Sequence, residues 1–407
     1  MNYADIHMHT SLSDGALTPS ETIAMLSILR RGYIAPPFDK FFGDVKYPVS
    51  IDSFLERARS ISIVGFVDHN TLLSIEPVVR ASKDIIGAPK AVVGFEATTR
   101  INLPIRGVYS CHVLVYLLPR YGIFPADLND NNFRNFFQEC VDLYGPITRE
   151  LNEFSNSRFL ELGDHVDRVL FSGRGVVTGD KIKEIARRRC ESMNIEVSPC
   201  ICNFSNHDVQ IGTIDIGEII ISEGLAQNGG EVRSKYLGRS GVAYLKISEE
   251  QGFPLLEDFL SKISLLNGKY VRHVVGIAHP VTLVREEFLA SVKNGSSYFD
   301  ARISSFQCVE KKIREVSELI DFIETRYPYY HHFVLPQHCE ESLDLLNIKE
   351  RLYNKLINAK FSDLAKILGL HESGGSDAHF MATTPLPGIG WGDIDISEID
   401  ALDLLKT

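Results

Sequence analysis

Nine side chains of types that bind divalent metals stand at or just beyond short apolar runs. They are His7 and His9 in "DIHMH", Asp14 in "SDG", His69 in "FVDHN", Glu96 in "VGFEATT", His112 in "SCHVLVY", His279 in "GIAHP", and Asp377 and His379 in "GSDAH". In a β-strand, side chains two apart share a face, so His7 and His9 would project side by side, with Asp14 following on a turn. Imidazole and carboxylate donors suit zinc, manganese or iron, and such sites often use two or more ions to generate hydroxide and clamp phosphate oxygens. Each piece has a plainer reading in isolation. A His-x-His pair occurs by chance, a lone His112 or His279 serves a core or loop, Glu96 caps a helix or faces solvent, and the aspartate of "GGSDAH" caps a helix. The shared strand-end placement and the order along the chain favour one site. In a β/α barrel the strand ends converge on one mouth, so segments distant in sequence meet there.

The elements that would carry these residues are legible as alternating runs. "YADIHMH", "SIVGFVDH", "KAVVGFEATT" and "CHVLVYLL" read as buried strands, and "HVVGIAHP" returns the same texture after residue 270. "TPSETIAMLSILRRG" reads as a helix, with Thr18 as N-cap, Pro19 in the first turn, Glu21 three residues after the cap and Gly32 at the stop. "CVEKKIREVSELIDFIETR" and "SLDLLNIKERLYNKLINAKFSDLAKILG" also read as helices. Strands alternating with helices predict an α/β architecture with a largely parallel sheet or barrel. Between residues 120 and 270 the texture becomes helical and polar, in "NNFRNFFQECVDLYG" and "GDKIKEIARRRCESM", with no cluster of strand-end ligands beyond the scattered His165 and His207. The expected organisation is therefore 1–119, an insertion at 120–270, and 271–407. The aromatic, proline-containing stretch 33–50 reads as a loop that covers a pocket or packs on the surface.

Composition narrows the classes. The chain has 407 residues, 44% hydrophobic and 23% charged, as in an ordinary globular enzyme. A net charge of -11 argues against a broad grip on nucleic acid or anionic membrane, while leaving room for a local basic pocket. No run approaches the roughly 18 apolar residues of a membrane span, and the first residues have no signal-peptide pattern. Seven cysteines without regular spacing fit a reducing cytoplasm better than a disulfide framework. The pair Cys200 and Cys202 has no second pair nearby, which weakens a metal reading for it.

The set as a whole resembles the PHP superfamily, named for polymerase and histidinol phosphatase. The resemblance rests on "DxHxH…SDG", a strand ending "DH", a strand ending in glutamate, a histidine-led hydrophobic strand, "AHP" and a late "GSDxH", all in that order across roughly residues 1–115 and 270–385. It implies a distorted (β/α)7 barrel of PHP type with an inserted, mainly helical subdomain, and a centre of two or three divalent ions (Mn, Zn or Fe). It further implies that His7, His9, Glu96 and Asp377 hold a first metal, and that Glu96 bridges to a second held by His112 and His279. Asp14, His69 and His379 would hold a third. Asp5 and Asp68, each near a ligand histidine, would be partners that fix a tautomer or, equally, strand-end hydrogen bonds to backbone. The branch with an insertion before "AHP" often carries a "GRPHIA"-like segment facing the phosphate. The nearest counterpart here, "GVVTGDKIKEIARRR", lacks its Arg–His pair, so Arg174 in "SGRG" is the alternative cation, with Lys181 and Lys183 behind it.

The expected function is a metal-dependent phosphoesterase acting on a phosphomonoester, nucleotide or short oligonucleotide. A metal-bound hydroxide would attack phosphorus, with Asp14, His69, His279 and His379 in the catalytic group and metal-bound water as the proton source. A small phosphorylated substrate or short nucleic acid is the expected partner, with no membrane and no protein partner indicated. Two alternatives stand: an exonuclease on single-stranded RNA or DNA, whose affinity would fall steeply with salt, and a non-catalytic partner-binding module, which would be expected to lack ligands. A histidinol phosphatase has no supporting feature.

Overall fold

The computed structural model describes residues 2–15, 17–33, 56, 59–191, 209–238, 241–245, 252–327, 343–377 and 396–407. The aromatic stretch 34–50, Cys200, Cys202, His207 and His379 lie outside the described residues.

Among the described residues, eight strands form one sheet: β1 (Tyr3–Met8), β2 (Ile61–Phe66), β3 (Lys90–Leu103), β4 (Gly107–Pro119), β5 (Val271–Ile277), β6 (Phe322–Arg326), β7 (His371–Gly374) and β8 (Ile396–Ser397). Their order is β7-β6-β5-β4-β3-β2-β1-β8. The seven long strands curl into a nearly closed, distorted barrel surrounded by helices. The chain just past β7 completes the approach to β1, with the Asp377 amide donating to the His7 carbonyl at 2.9 Å. Asp5 on β1 accepts from both the amide (2.9 Å) and the hydroxyl (2.7 Å) of Ser376 across the same seam. That seam requires Gly375, because a Cβ there would lie 2.3 Å from the Cβ of His7.

The sheet is mixed. β1–β2, β2–β3, β5–β6 and β6–β7 are parallel, whereas β4 runs antiparallel to both β3 and β5. A reversed strand presents its N-terminal half where its neighbours present their C-terminal ends. His112, near the start of β4, therefore reaches the same mouth as residues that follow β1, β2 and β5, and its carbonyl accepts from the Ala278 amide at 3.0 Å.

Alternation along the strands sorts two cores. On β4, Cys111, Val113, Val115 and Leu117 join the larger cluster with outer-layer residues such as Leu26, Val78, Phe136, Phe259 and Phe361. Leu114, Tyr116 and Leu118 join the smaller one, with Val92, Val274, Phe322 and the C-terminal Leu404 and Leu405. Glu96 has the parity of Val92, His112 that of Leu114, and Glu324 that of Phe322, so the polar residues stand above an apolar floor on the inner face.

Ten helices are used below as α1 (Pro19–Arg30), α2 (Ile75–Asp84), α3 (Asp130–Phe171), α4 (Gly179–Glu191), α5 (Thr213–Ser222), α6 (Leu256–Ser264), α7 (Val281–Lys293), α8 (Tyr298–Glu315), α9 (Leu343–Leu368) and α10 (Glu398–Lys406). α1 starts as its sequence predicts: the Glu21 amide donates to Thr18 Oγ1 at 3.2 Å, the Thr18 amide donates to the Glu21 carboxylate at 2.9 Å, and Gly32 beyond the end takes φ +83°. α3 runs 42 residues through Pro146. Its first half packs Phe136, Tyr144 and Leu151 on the barrel, and its second half packs Leu162 and Val166 with Ile182 of α4 and Ile216, Ile219 and Ile220 of α5. One expectation is corrected. "CVEKKIREVSELIDFIETR" is not helical throughout: α8 ends at Glu315, and Phe322–Arg326 is strand β6. Its charged residues continue a helical pattern with no Gly or Pro to mark the break, while burial of Phe322 and Ile323 against the sheet overrides that local preference.

Candidate metal centre

Among the described residues, five imidazoles and three carboxylates meet at the barrel mouth. His7 is the last inward residue of β1, and His9 follows one residue beyond the strand. Their Nε2 atoms lie 3.2 Å apart. Both face Glu96 Oε2, at 3.2 and 3.0 Å, and both face Asp377 Oδ1, at 3.4 and 3.0 Å. Four donor atoms bound tetrahedrally at 2.0–2.1 Å would be separated by edges of about 3.4 Å. Five of the six edges are thus measured here, and all fall at 3.0–3.4 Å. The donor set fits a divalent cation.

The other oxygen of Glu96 looks the opposite way. Glu96 Oε1 lies 2.6 Å from His112 Nδ1 and 3.1 Å from His279 Nε2. One carboxylate therefore contacts two histidine pairs through separate oxygens. His69 stacks on His9 with ring centroids 4.4 Å apart, and its Nδ1 lies 3.4 Å from Glu96 Oε2. Asp14 completes a looser group: its oxygens are 3.8 Å from His9 Nδ1 and 3.6 Å from His69 Nε2. Three groups of ligand atoms close enough to share an ion result: His7–His9–Glu96–Asp377, His9–Asp14–His69 and His69–Glu96–His112. His279, assigned with His112 from the sequence, is adjacent, with ring centroids 5.0 Å apart. Its buried Nδ1 has no hydrogen-bond partner among the described residues.

Charge balance also fits a cation. Burial disfavours charge on His7, but Glu324, Glu96 and Asp377 outweigh it and raise its pKa well above the ordinary value. His9 likewise rises to about 10 against its burial, through Asp377, Glu96 and Asp14. His69 goes the other way, to about 4, because burial outweighs its acidic neighbours. Burial would raise Glu96, yet His69, His112 and His7 hold it well below the usual carboxylate range. The carboxylates thus demand positive charge at His7 and His9, and a divalent ion would supply it in place of those protons.

The supporting contacts explain how the ligands are aimed. Glu324 of β6, fully buried, lies 3.0 Å from His7 Nδ1 and accepts from the His279 amide at 2.6 Å. It fixes which His7 nitrogen turns to the cluster, and it lies in the segment that the sequence reads as helix. A carboxylate on the inner face of a strand paired with "GIAHP" was the signal available. Asp5 instead holds Ser376, beside Asp377, and Asp68 holds the loop after His9, accepting from the Thr10 amide (2.6 Å), the Thr10 hydroxyl (2.8 Å) and the Ser13 hydroxyl (2.6 Å). Tyr327 donates to Asp377 Oδ2, and its ring lies 4.9 Å from that of His279. Among the described residues, non-glycine positive φ occurs at Asn70 (52°), Ser172 (56°), His279 (28°) and Asp377 (50°), three of them in or beside the cluster. Such backbone costs about 1–3 kcal/mol each and persists where the surroundings over-determine it.

Arg174 is exposed at the turn after α3, where its Nε donates to the Phe171 carbonyl at 2.9 Å. Lys181 pairs with Glu223 at 3.3 Å and Lys183 is exposed. Among the described residues, Arg189 of the insertion bonds to the loop that carries Asp14: its Nη1 donates to the carbonyls of Ser11 and, at 3.4 Å, Ser13.

No helix among the described residues is long and apolar enough to cross a membrane. No family model matches the chain, and no curated protein matches it. Among solved structures it is similar to a protein from Bifidobacterium adolescentis described as a "putative metal-dependent phosphoesterase", at 16% identity and TM-score 0.47, over 99% of this chain and 95% of that one. It is also similar to an amidohydrolase from Chromobacterium violaceum with bound sulfate and no metal, at 16% identity and TM-score 0.44, over 92% and 87% of the two chains.

Proposed function

We propose that this chain is a metal-dependent phosphoesterase of PHP type, acting on a small phosphorylated substrate or a short oligonucleotide. The observation that carries the reading is the donor arrangement around Glu96. One oxygen closes a tetrahedron-sized set with His7, His9 and Asp377, and the other meets His112 and His279. A carboxylate used on both sides suits two cations about 3.5–4 Å apart, the spacing that serves in-line displacement at phosphorus.

Bound divalent ions would supply Lewis acidity to phosphoryl oxygens and bring the pKa of water near neutrality. The chain's own residues set the stage for that chemistry. Once a cation replaces their protons, His7 and His9 would offer neutral donors that leave its charge uncancelled, with Glu324 beside His7 Nδ1. Asp14, the most solvent-facing member with its side chain 43% exposed, lies on the approach side of the cluster. Burial lowers the His69 pKa to about 4, which favours the neutral imidazole, with one ring nitrogen a lone-pair donor and the other an N–H. The apolar floor of Leu114, Val274 and Phe322 keeps the underside dry, which strengthens every charge interaction above it.

The test couples metal analysis of the purified protein to a panel of phosphomonoesters, nucleotides and oligonucleotides with Mn²⁺, Zn²⁺ and Fe²⁺ supplied in turn. His9→Ala and Asp377→Ala should abolish hydrolysis and lower metal content. Full activity in either variant, or metal-loaded wild type inert on every phosphate ester, refutes the proposal.

A further inference from the structure

Two of the three ligand groups draw on strands and on residues just past their ends, but Asp14 sits in the loop Thr10–Gly15, which needs holding from outside. On the barrel side Asp68 ties Thr10 and Ser13. On the other side stands the insertion. Arg189 on α4 is gripped by Asp215 on α5 in a two-pronged pair, Nε to Oδ1 at 2.9 Å and Nη2 to Oδ2 at 3.0 Å. Its side chain is 12% exposed and that of Asp215 1%. Nη2 also donates to the Gln210 carbonyl at 2.8 Å, and Asp215 accepts from the Gly212 amide at 2.8 Å. The guanidinium is therefore fully oriented, and Nη1 donates to the Ser11 and Ser13 carbonyls, which precede Asp14.

Packing delivers the same contact independently. Leu12, wholly buried, sits in a small apolar cluster with Leu73, four residues past His69, and Cys190, the neighbour of Arg189. Val209 of the insertion packs against the same cluster. The insertion thus touches both segments that carry the Asp14–His69 pair: the Asp14 loop through Arg189 Nη1 and Leu12, and the segment after His69 through the apolar cluster at Leu73. We propose that Arg189, oriented by Asp215, is a positioning residue through which the inserted helices hold Asp14 against His69, so that the outermost ion site is completed by the insertion while the His7–His9–Glu96–Asp377 site is complete in the barrel. This rests on reading the cluster as a metal centre.

The experiment compares full-length wild type, Arg189→Met and Arg189→Lys. Metal-free protein is followed by amide hydrogen exchange at Ser11, Ser13 and Gly15, whose amides bond to Leu17 and Thr10 carbonyls, and is then titrated calorimetrically with Mn²⁺ alone. In Arg189→Met, exchange in the loop should quicken and the weakest Mn²⁺ step should weaken roughly 10–100-fold, the usual cost of losing a ligand's support. The tightest step should stay within about twofold of wild type on the same reasoning. Arg189→Lys keeps the charge without the fork and should fall between. Mn²⁺ uptake that is unchanged in Arg189→Met, or weakened equally at every step, overturns the inference alone. A wild type that takes up no Mn²⁺ overturns the metal-centre reading beneath it.

Discussion

Replacing Glu324 by glutamine isolates one contact of the centre. The carboxylate is buried, lies 3.0 Å from His7 Nδ1 and accepts from the His279 amide at 2.6 Å. Glutamine keeps the shape and one acceptor but removes the charge. A charge-assisted hydrogen bond contributes about 1.5–3 kcal/mol and is roughly twice as strong as a neutral one, so the loss at His7 is about 0.75–1.5 kcal/mol. Because that bond makes His7 a better donor at its other nitrogen, the loss should pass to metal affinity as roughly 4- to 12-fold in Kd. Linkage converts this to stability. Mn²⁺ at 100 times the wild-type Kd stabilises wild type by about 2.7 kcal/mol and should stabilise the variant by only about 1.3–1.9 kcal/mol. The metal-free variant should itself be less stable than metal-free wild type, because Glu324 is foremost among the charges that favour a protonated, buried His7, so the Mn²⁺-induced gain is read within each protein. Urea unfolding with and without Mn²⁺, beside calorimetric titration, reads both quantities. An equal Mn²⁺-induced gain in the two proteins would falsify the role given to Glu324.

Gly375→Ala should destabilise the protein by about 1–3 kcal/mol, as overpacking does, because the new methyl meets His7 2.3 Å away across the β7–β1 seam. A urea midpoint equal to wild type would contradict that close approach. Glu139 on α3 accepts the amides of Lys269 (2.8 Å), Tyr270 (2.6 Å) and Val271 (2.7 Å), and although desolvation opposes it, these bonds lower its pKa below 4.5. A depressed folded pKa means stability present above the unfolded value and lost as pH falls through the folded one. The stability advantage of wild type over Glu139→Gln should therefore be complete near pH 6 and shrink below about pH 4.5; a difference that is flat down to pH 3 would count against it.

The sequence itself determined which donor types are present and much of the local structure. Strand parity put His7 and His9 together, and the Thr18–Glu21 box started α1. These features depend on alternation and capping, which are properties of neighbouring residues; the close approach that requires Gly375 was not read from "GGSDAH". The tertiary structure decided what neighbours could not. Glu324 stands beside His7 only because β6 pairs between β5 and β7, and its segment, without Gly or Pro to interrupt the charged run from α8, carries a helical pattern that sheet burial overrides. His112 reaches the mouth only because β4 runs against its neighbours, so strand direction, invisible in a single run of residues, set which end faces the site. Arg189, rather than Arg174, meets the ligand loop because a bidentate partner on a different helix turns its guanidinium there. "DIHMHTSLSDG" therefore contains candidate donors, and the barrel seam, the reversed strand and the inserted helices decide which partners meet them.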